Sequence, residues 1–509
     1  MKLKTHGKHL PIALVSLAAA AFMATGCANN NVVSNPVTPT VTGSAFVVGT
    51  DAPMASVVSF SVPVTGVCGV TTNTTTNMSE CVPLTTLTPT VDFARFNGLQ
   101  TLLDMNSVQV GTYTAIQITL GAPTIGYLNV PASGAPTIQT MPGAYSTTSP
   151  SPCTSTTSCT YTATLDKPLV VTQTGPPVGL RVDFDLAKSI GVDSTGAITG
   201  TVTPTFDIST VGVNDAGGYI DSMIAAVSTL PSGTTEPNSF TVQGPHGQQF
   251  TINTTSSTEW ENTESLSSLT TSSIVEVFGK LDPVTQTLDA DGVAILSQNG
   301  FYADGQITYV IPSASLVVPP PPPIGFEMYV RSLLPANTAV TLGDISTISL
   351  TGNEKFFIDN MRDNFLAKFL FNSSSSLLAG QDVTIGGTTS DVTGTNAIAG
   401  LKRVVLRHWG FNGTVVADLT SQPPGTFQMQ INGFAGVLVP QTVTVYAVGP
   451  TAHCWRFGWS GFGNQAVGDN VRVVGLLLKD PTTGNTVLLA HYVDGPSFMN
   501  PNFAVPASW

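Results

Sequence analysis

Charged side chains are scarce in this sequence. Only 10% of its 509 residues are Asp, Glu, Lys or Arg, and 31 acidic residues outnumber 18 basic ones. Three of the basic residues stand before residue 27, so the rest of the chain has 18 − 3 = 15 basic residues and a net charge of 15 − 31 = −16. An acidic surface repels the phosphate backbone of nucleic acid. We therefore expect no nucleic-acid partner.

The motifs of common enzyme classes are also absent. The chain has no G-x-S-x-G, HExxH, Walker or paired CxxC motif. Residues 461–466 match G-x-G-x-x-A, but a predicted strand follows them, whereas a nucleotide site needs a helix behind its glycines. Beyond the N-terminal segment only four histidines remain, His246, His408, His453 and His491. We expect no catalytic residues, no metal site and no cofactor.

One acidic segment, Asp289-Ala290-Asp291-Gly292, is similar to the start of a calcium-binding loop. The glutamate that completes an EF-hand is missing downstream. Aspartate and glycine are also the residues that turns favour, so we interpret the segment as a hairpin turn and keep calcium binding as the alternative.

The N-terminus has the order of an export signal. Three lysines (Lys2, Lys4 and Lys8) precede an apolar run from Ile12 to Met23, and small residues lead into Cys27. This order resembles the lipobox of bacterial lipoproteins. The resemblance implies that residues 1–26 are a signal peptide and that Cys27 is acylated and becomes the mature N-terminus. An ordinary cleaved signal with an incidental cysteine is the alternative.

The lipid is the expected link to the membrane. After the signal we find no apolar run of the eighteen or more residues that a membrane-spanning helix needs. Acyl chains on Cys27 would supply the anchor, and residues 27–42 form a polar tether. Ala28 stands where an aspartate would retain the protein at the inner membrane under the best-known sorting rule. We therefore expect a cell-envelope protein, lipid-anchored in the outer membrane.

Cysteine usage indicates an oxidising compartment. Cys68 and Cys81 bracket one Thr/Asn-rich loop, and Cys153 and Cys159 bracket another. We predict disulfides within the two close pairs, and cross-pairing among the four stays open. No CxxC spacing or nearby histidine supports zinc. Cys454 is left over, and we interpret it as a buried apolar side chain.

Short alternating strands with turn residues between them predict an antiparallel β-sandwich over residues 43–212. Three motifs follow one another there: Thr50-Asp51-Ala52-Pro53, Gly111-Thr112-Tyr113-Thr114 and Val182-Asp183-Phe184-Asp185. Their order resembles a family of bacterial lipoprotein domains known only as a domain of unknown function (the 4382 type). The resemblance implies a β-sandwich and supplies no catalytic residues.

The remaining chain repeats one unit three times. Each copy has a glycine–aromatic start, a strand led by phenylalanine, a V-x-[VI]-x-G segment and an apolar closing strand. The glycine–aromatic starts are Gly218-Tyr219, Gly300-Phe301 and Gly410-Phe411, and the leading phenylalanines are Phe240, Phe326 and Phe427. The V-x-[VI]-x-G segments are Val275–Gly279, Val383–Gly387 and Val471–Gly475. The closing strands are Val293–Leu296, Val404–Leu406 and Val487–Leu489. We place the copies at residues 217–298, 300–409 and 410–495, followed by a tail at 496–509.

Each copy has five predicted strands and a long connecting segment between the third and the fourth, which resembles a small OB-like barrel. The copies are also similar to a second lipoprotein domain of unknown function (the 5666 type). In the second copy Phe357, Met361, Phe365 and Phe369 recur at every fourth position, which predicts a short helix. The predicted fold class is therefore all-β: an antiparallel sandwich followed by three OB-like barrel repeats, with one short helix.

An aromatic segment stands out in the third copy. Trp455, Phe457 and Trp459 alternate, so a strand would place all three on one face. Such a face could stack on sugar rings or other flat ligands, which makes these three the candidate ligand-binding residues. The preferred alternative is that they close the end of a small barrel.

Taken together, these patterns favour a non-catalytic cell-envelope lipoprotein that acts as a binding, adhesion or scaffold module. Its expected partners are the membrane, through the N-terminal lipid, and a glycan or an envelope protein. The rival hypothesis is an extracytoplasmic hydrolase with a composite site between β-domains, which would bring His408 or His491 beside an acid and a hydroxyl. The sequence gives no indication of the oligomeric state.

Overall fold

The structure is a computed structural model of the chain. It describes residues 41–494 apart from 53–56, 73–77, 86–87, 96–100, 130–136, 194–197, 213–217, 231–237, 244–248, 262–263, 299, 314–320, 336, 359–368, 419–425, 432–441 and 447–465. The described residues belong to one compact unit, Val41–Trp509. Nearly all regular structure in them is strand, which confirms the predicted all-β class. None of their helices has both the length and the apolar character needed to cross a bilayer.

Strands β1 to β14 form a sandwich. One sheet has the order β14-β11-β1-β5, the other β10-β6-β2-β7-β8 with β3 and β4 beside β2, and a small third sheet has the order β12-β13-β9. Strand β1 runs parallel to β11, whereas its pairing with β5 is antiparallel. The elements are β1 (Thr42–Ala52), β2 (Val57–Thr72), β3 (Ser79–Pro83), β4 (Thr90–Asp92), β5 (Thr101–Gln109), β6 (Gly111–Leu120), β7 (Thr124–Asn129), β8 (Thr137–Pro142), β9 (Ala144–Tyr145), β10 (Cys159–Val171), β11 (Val178–Asp185), α1 (Leu186–Ser189), β12 (Ile190–Val192), β13 (Ile198–Val202) and β14 (Phe206–Gly212).

Two of the three motifs that resemble the lipoprotein domain contribute side chains to the core of the sandwich. Phe184 is fully buried; its ring centroid lies 5.0 Å from that of Phe60 and 4.7 Å from that of Phe206. Tyr113 is also buried, and its hydroxyl donates to the Gln109 carbonyl at 2.6 Å. Aromatic contacts of this kind add to the burial of apolar area, so Tyr113 and Phe184 of these motifs have a packing role.

Both predicted disulfides are present. Cys68 on β2 is bonded to Cys81 on β3, with 5.5 Å between their Cα atoms. Cys153 is bonded to Cys159, with 4.7 Å between their Cα atoms. Each bond closes a short polar segment and thereby limits the conformations of the unfolded chain. The close pairing is confirmed over cross-pairing.

The strands that follow form three curled sheets, which we call barrels 1, 2 and 3. Barrel 1 contains β15 (Tyr219–Thr229), β16 (Asn238–Gln243), β17 (Gln249–Thr254), β18 (Glu259–Trp260), β19 (Ile274–Asp282) and β20 (Thr287–Ser297). Its order is β17-β16-β15-β19-β20, and parallel pairing of β17 with β20 closes the ring. Barrel 3 contains β29 (Trp409–Asp418), β30 (Thr426–Ile431), β31 (Thr442–Tyr446), β32 (Asn470–Lys479) and β33 (Thr486–Asp494). It is closed in the same order, with β31 parallel to β33. Five-stranded closed sheets of this kind are OB-like.

Barrel 2 is the variant of the three. It contains β21 (Phe301–Ile311), β22 (Gly325–Leu334), β23 (Ile345–Ser349), β24 (Lys355–Ile358), β25 (Asp382–Gly387), β26 (Val392–Gly394), β27 (Ala397–Ala399) and β28 (Arg403–Arg407). Strand β28 pairs in parallel with β24, while β23 pairs with β27, so this sheet is an eight-stranded path and not a closed ring. The fold class therefore holds, with one barrel open.

Two of the repeated landmarks have a clear packing role. The leading phenylalanine of each copy (Phe240, Phe326 and Phe427) lies in the second strand of its barrel and is at most 1% exposed. Gly279 and Gly475 lie where the pairing with the fifth strand shifts register. A Cβ there would come within 2.1 Å of the Asp289 carbonyl oxygen and 2.2 Å of the Leu489 carbonyl oxygen, respectively. Only glycine fits so close a backbone approach.

The local structure differs from the sequence-based prediction at two segments. Asp289–Gly292 lies inside β20, so the hairpin-turn interpretation is wrong; the turn precedes it, at residues 283–286. Gly292 faces the Phe278 ring, which a Cβ would approach to 2.3 Å. Phe357, at the start of the predicted helix, lies in strand β24, and residues 359–368 of that helix lie outside the described residues.

Replacing Gly475 with alanine should destabilise the protein by about 1–3 kcal/mol, because the methyl group collides with backbone that cannot rotate away. Gly394→Ala is the matched control: its Cβ would meet only the Ala397 methyl, at 3.8 Å. Urea unfolding followed by circular dichroism measures both. Equal stability of the two variants would contradict this account of the repeated glycine.

Candidate functional site

The outward face of the barrel 2 sheet is polar, although neighbouring domains cover it. Side chains alternate along its strands, so Val383 and Ile385 point into the barrel while Asp382 and Thr384 point out. All four are buried, because barrel 1, barrel 3 and the sandwich surround this face. We call the outward-facing group on β21, β22, β25 and β28, together with one glutamate from barrel 1, the polar junction: Asp304, Gln306, Arg331, Asp382, Thr384, Arg407 and Glu276.

Two ion pairs connect barrel 2 to barrel 1. Arg407 Nη2 lies 2.5 Å from Glu276 Oε1, which also accepts a hydrogen bond from Ser222 Oγ. Nearer the edge of the interface, Arg403 Nη2 lies 2.5 Å from Glu264 Oε1. Glu276 and Arg407 are at most 8% exposed. Removing one partner of such a buried pair leaves a charge that neither water nor protein compensates.

Barrel 3 is connected through the opposite side of the junction. Arg331 forms an ion pair with Asp382, and its guanidinium carbon lies 4.0 Å from the centre of the Trp409 ring, at the start of β29. Gln381 Nε2 donates to the Leu477 carbonyl of β32 at 3.0 Å. Arginine over a tryptophan face is an attractive geometry, and the attraction grows where water is excluded.

The sandwich contributes a carboxylate and apolar contacts. Asp92 Oδ1 accepts from the backbone of Phe60 at 2.8 Å, and its other oxygen accepts from Ser59 Oγ at 2.9 Å. The Asp92 charge helps to raise the pKa of Arg331 in barrel 2. Nearby, Val58 of the sandwich and Tyr329 of barrel 2 belong to the apolar core of barrel 3. All four domains therefore meet around one face.

Burial changes the ionisation of the junction. It raises the pKa of Asp382 to about 7; the Asp304 charge acts in the same direction, and Arg331 and Arg407 oppose both. Burial alone would lower the pKa of Arg331, but Asp382 and Asp304 raise it overall, so this arginine stays charged. Burial also raises the pKa of Tyr302, which keeps the phenol neutral.

The junction contains contacts between domains as well as contacts within one domain. The Arg407–Glu276 ion pair joins barrel 2 to barrel 1, and the Arg331 guanidinium lies over Trp409 of barrel 3. The Arg331–Asp382 pair lies within barrel 2, and the Ser222–Glu276 hydrogen bond lies within barrel 1. Across the described part of the chain, no three His, Cys, Asp or Glu side chains stand together so as to hold a metal ion. The junction is therefore a candidate site of mechanical coupling between domains.

The sequence-predicted site residues fall elsewhere. Cys27, and the aromatic trio of Trp455, Phe457 and Trp459, lie outside the described residues, as does His246. The four disulfide cysteines lie in the sandwich and form the two predicted bonds. His408 lies between β28 and β29, and His491 lies on β33.

Sequence reasoning missed the junction for a physical reason. Val275-Glu276-Val277 and Asp382-Val383-Thr384-Ile385 show the alternation that also marks a strand with one face in water. Whether the outer face meets solvent or another domain depends on packing between copies, which local periodicity does not encode. The remaining signal is composition: charges inside apolar strands are conspicuous in a chain with only 10% charged residues.

Comparison with known proteins identifies the first domain only. Residues 42–199 match the family model described as "Domain of unknown function (DUF4382)". The match spans β1 into β13 of the sandwich, which confirms the resemblance predicted there. No curated protein matches the chain. Among solved structures, one titled "drosophila Unr CSD456" is similar at 9% identity and a TM-score of 0.14, covering 53% of this chain and 94% of that one; this score is too low to carry an argument.

Replacing Arg407 with methionine should destabilise the protein by about 3–5 kcal/mol, since Glu276 would lose its guanidinium partner inside the interface. The control is Lys402→Met, an exposed cation in the same barrel, which should change stability by less than about 0.5 kcal/mol. Urea denaturation at neutral pH compares the two. A near-neutral Arg407→Met variant would show that the ion pair does not hold the barrels together.

Proposed function

We propose that the protein is a non-catalytic, lipid-anchored scaffold of the bacterial cell envelope that displays its four β-domains in a fixed arrangement. The main support is the polar junction, in which the Arg407–Glu276 ion pair joins barrel 2 to barrel 1 and the Arg331 guanidinium lies over Trp409 of barrel 3. Beside the junction, Gln381 of barrel 2 donates a hydrogen bond to the Leu477 carbonyl of barrel 3. Domains connected by flexible linkers would present small, wet interfaces to one another. Here the interface between barrels 1 and 2 contains the buried Arg407–Glu276 charge pair, and the interface between barrels 2 and 3 contains the buried Arg331 side chain over Trp409.

Shared apolar cores support the same proposal. Phe46 of the sandwich packs into the core of barrel 1, and Val58 packs into that of barrel 3. Leu476 and Leu478 of barrel 3 belong to the cluster that fills barrel 2. Separating the domains would expose these side chains, at about 1.5–3 kcal/mol for each fully buried large one. A fixed arrangement of surfaces is what a scaffold or adhesion module requires.

The lipid anchor rests on the N-terminal pattern that ends at Cys27. Acylation there would hold the scaffold at the outer membrane, where the residue after the cysteine, Ala28, directs it under the common sorting rule. The likeness of the three barrels to the 5666-type domain, another lipoprotein domain, points to the same compartment.

Changing Cys27 to serine should move the protein from the detergent phase to the aqueous phase in Triton X-114 partitioning, because serine cannot accept the thioether-linked lipid. Mass spectrometry of the wild-type N-terminus should show an acylated cysteine. The control is Ala28→Ser, which should still be acylated. An unmodified mature N-terminus in the wild type would refute the anchor.

Carbohydrate is the ligand class proposed for the scaffold, through the aromatic trio of Trp455, Phe457 and Trp459. Flat indole and phenyl faces stack on sugar rings. Replacing all three with alanine should reduce binding on a glycan array at least tenfold. The control is Tyr309→Ala, which removes a partly exposed aromatic ring from barrel 2. Glycan binding that survives the triple replacement would refute this assignment.

The hydrolase alternative makes a different demand. It needs His408 or His491 to activate a nucleophile, so a fluorophosphonate probe should label the wild-type protein and fail to label His408→Ala or His491→Ala. Labelling that depends on either histidine would favour the enzyme over the scaffold.

A further inference from the structure

The two disulfides of the sandwich differ in how far solvent reaches their sulfur atoms. Cys153 and Cys159 are 3% and 2% exposed, so their bond lies inside the core of the sandwich. Cys68 is 8% exposed, but its partner Cys81 is an exposed residue of the short strand β3. A disulfide exchanges when a thiolate attacks one of its sulfur atoms, so the rate depends on access to that atom. A thiol in solution can therefore reach Cys81, whereas the core shields the other pair.

The exposed disulfide lies on the outward face of the larger sandwich sheet. Cys68 on β2 pairs with Gln117 on β6, and Gln117 pairs with Thr162 on β10, so the three side chains form one row across the sheet. The neighbouring Ile116 and Ile118 point into the core on the other face. Thr162 is exposed, so this row faces solvent.

The Gln117 side chain gives the two sulfur atoms a polar neighbour. Its Oε1 atom lies 3.5 Å from Cys81 Sγ and 3.8 Å from Cys68 Sγ. Its amide nitrogen donates to Thr162 Oγ1 at 3.3 Å, which holds the carbonyl end beside the sulfurs. A disulfide has no hydrogen to donate to this oxygen, whereas each cysteine thiol has one. The arrangement therefore favours the reduced pair more than an apolar neighbour would.

Strand β3 has few contacts besides the disulfide. In the described part of the chain it pairs with β2 alone, over the five residues Ser79–Pro83. Val82 is buried, and the other four residues are exposed. The disulfide joins residues 13 positions apart, so breaking it returns conformational freedom to the segment that it closes. We expect β3 to separate from β2 more often once the bond is broken, since little buried surface opposes the separation.

We propose that Cys68–Cys81 is a thiol-exchange site, opened by a dithiol reductant that attacks Cys81, and that its opening releases β3 from the edge of β2. Cys153–Cys159 is the permanent structural bond of the same domain. This inference concerns a different face of the molecule from the polar junction. It depends neither on acylation of Cys27 nor on glycan binding.

The exchange is balanced in two steps. A thiolate of the reductant attacks Cys81 Sγ and forms a mixed disulfide, while the electron pair of the broken S–S bond stays on Cys68 Sγ, which takes up a proton. The second thiolate of the reductant then attacks the reductant's own sulfur in the mixed disulfide and expels Cys81 as a thiolate, which is protonated in turn. The protein gains two electrons and two protons, and the dithiol becomes a cyclic disulfide.

The first test is timed reduction of the folded full-length protein with dithiothreitol, in the absence of denaturant. Samples are quenched in acid, unfolded and alkylated, and the alkylated cysteines are located by peptide mass spectrometry. Cys68–Cys81 should be reduced at least about tenfold faster than Cys153–Cys159, because access limits the exchange. Equal rates, or faster reduction of Cys153–Cys159, would overturn the proposal.

Hydrogen exchange followed by mass spectrometry tests the release of β3. Peptides that contain β3 should exchange faster once Cys68–Cys81 is reduced, and the double variant Cys68→Ser/Cys81→Ser should show the same increase without reductant. Peptides from β11, in the centre of the opposite sheet, are the control and should not change. Unchanged exchange of β3 in the reduced wild type would overturn the release of this strand, whether or not the variant folds.

Gln117 is a positioning residue in this exchange. Equilibration in mixtures of reduced and oxidised dithiothreitol measures the fraction of Cys68–Cys81 that is reduced. Gln117→Leu should shift that equilibrium toward the disulfide by about threefold, because the thiols lose their hydrogen-bond acceptor. Thr119→Val, a change on the same face of β6, is the control and should leave the equilibrium unchanged. An unshifted equilibrium in Gln117→Leu would overturn the role assigned to this side chain.

Discussion

The structure depends on the requirement that charges removed from water must be paired. The polar junction places Arg331, Arg407 and their carboxylate partners where four β-domains meet. The Arg331–Asp382 pair forms only when two strands of barrel 2 are correctly positioned, and the Arg407–Glu276 pair forms only when barrels 1 and 2 are. Apolar packing brings domains together without a strict direction, whereas a buried ion pair tolerates little displacement. We infer that the apolar cores supply most of the stability and that the junction fixes the arrangement.

The three repeated barrels share features that can be compared position by position. Barrels 1 and 3 share one closed strand order, and barrel 2 is an open variant of it. All three have a buried phenylalanine in the second strand, and barrels 1 and 3 have a glycine where the pairing of the fourth strand with the fifth shifts register. In barrel 2 the glycine at the same position of the motif is Gly387, and its Cβ would come within 2.4 Å of Asp391 Oδ2. The landmark glycine therefore permits a close approach of backbone in barrels 1 and 3 and a close approach of a side chain in barrel 2.

Much of the fold could be predicted from the sequence because it depends on local patterns. Alternation predicts the strands, Phe240, Phe326 and Phe427 mark the repeats, and the spacing of Cys68/Cys81 and Cys153/Cys159 predicts their disulfides. The junction could not be predicted in this way. Glu276 and Arg407 stand 131 residues apart, and nothing in either local pattern distinguishes a charge facing solvent from one facing another barrel. Phe357 shows that a local pattern can also mislead. Its spacing with Met361 and Phe365 predicted a helix, but Phe357 lies in strand β24, which pairs with β28.

Differential scanning calorimetry tests the central claim most directly, because it asks whether the domains unfold as one body. If the junction couples them, the wild type should show one transition whose calorimetric enthalpy equals its van't Hoff enthalpy. Arg407→Met should divide that transition into separate ones. Several independent transitions in the wild type, unchanged by the substitution, would contradict the account.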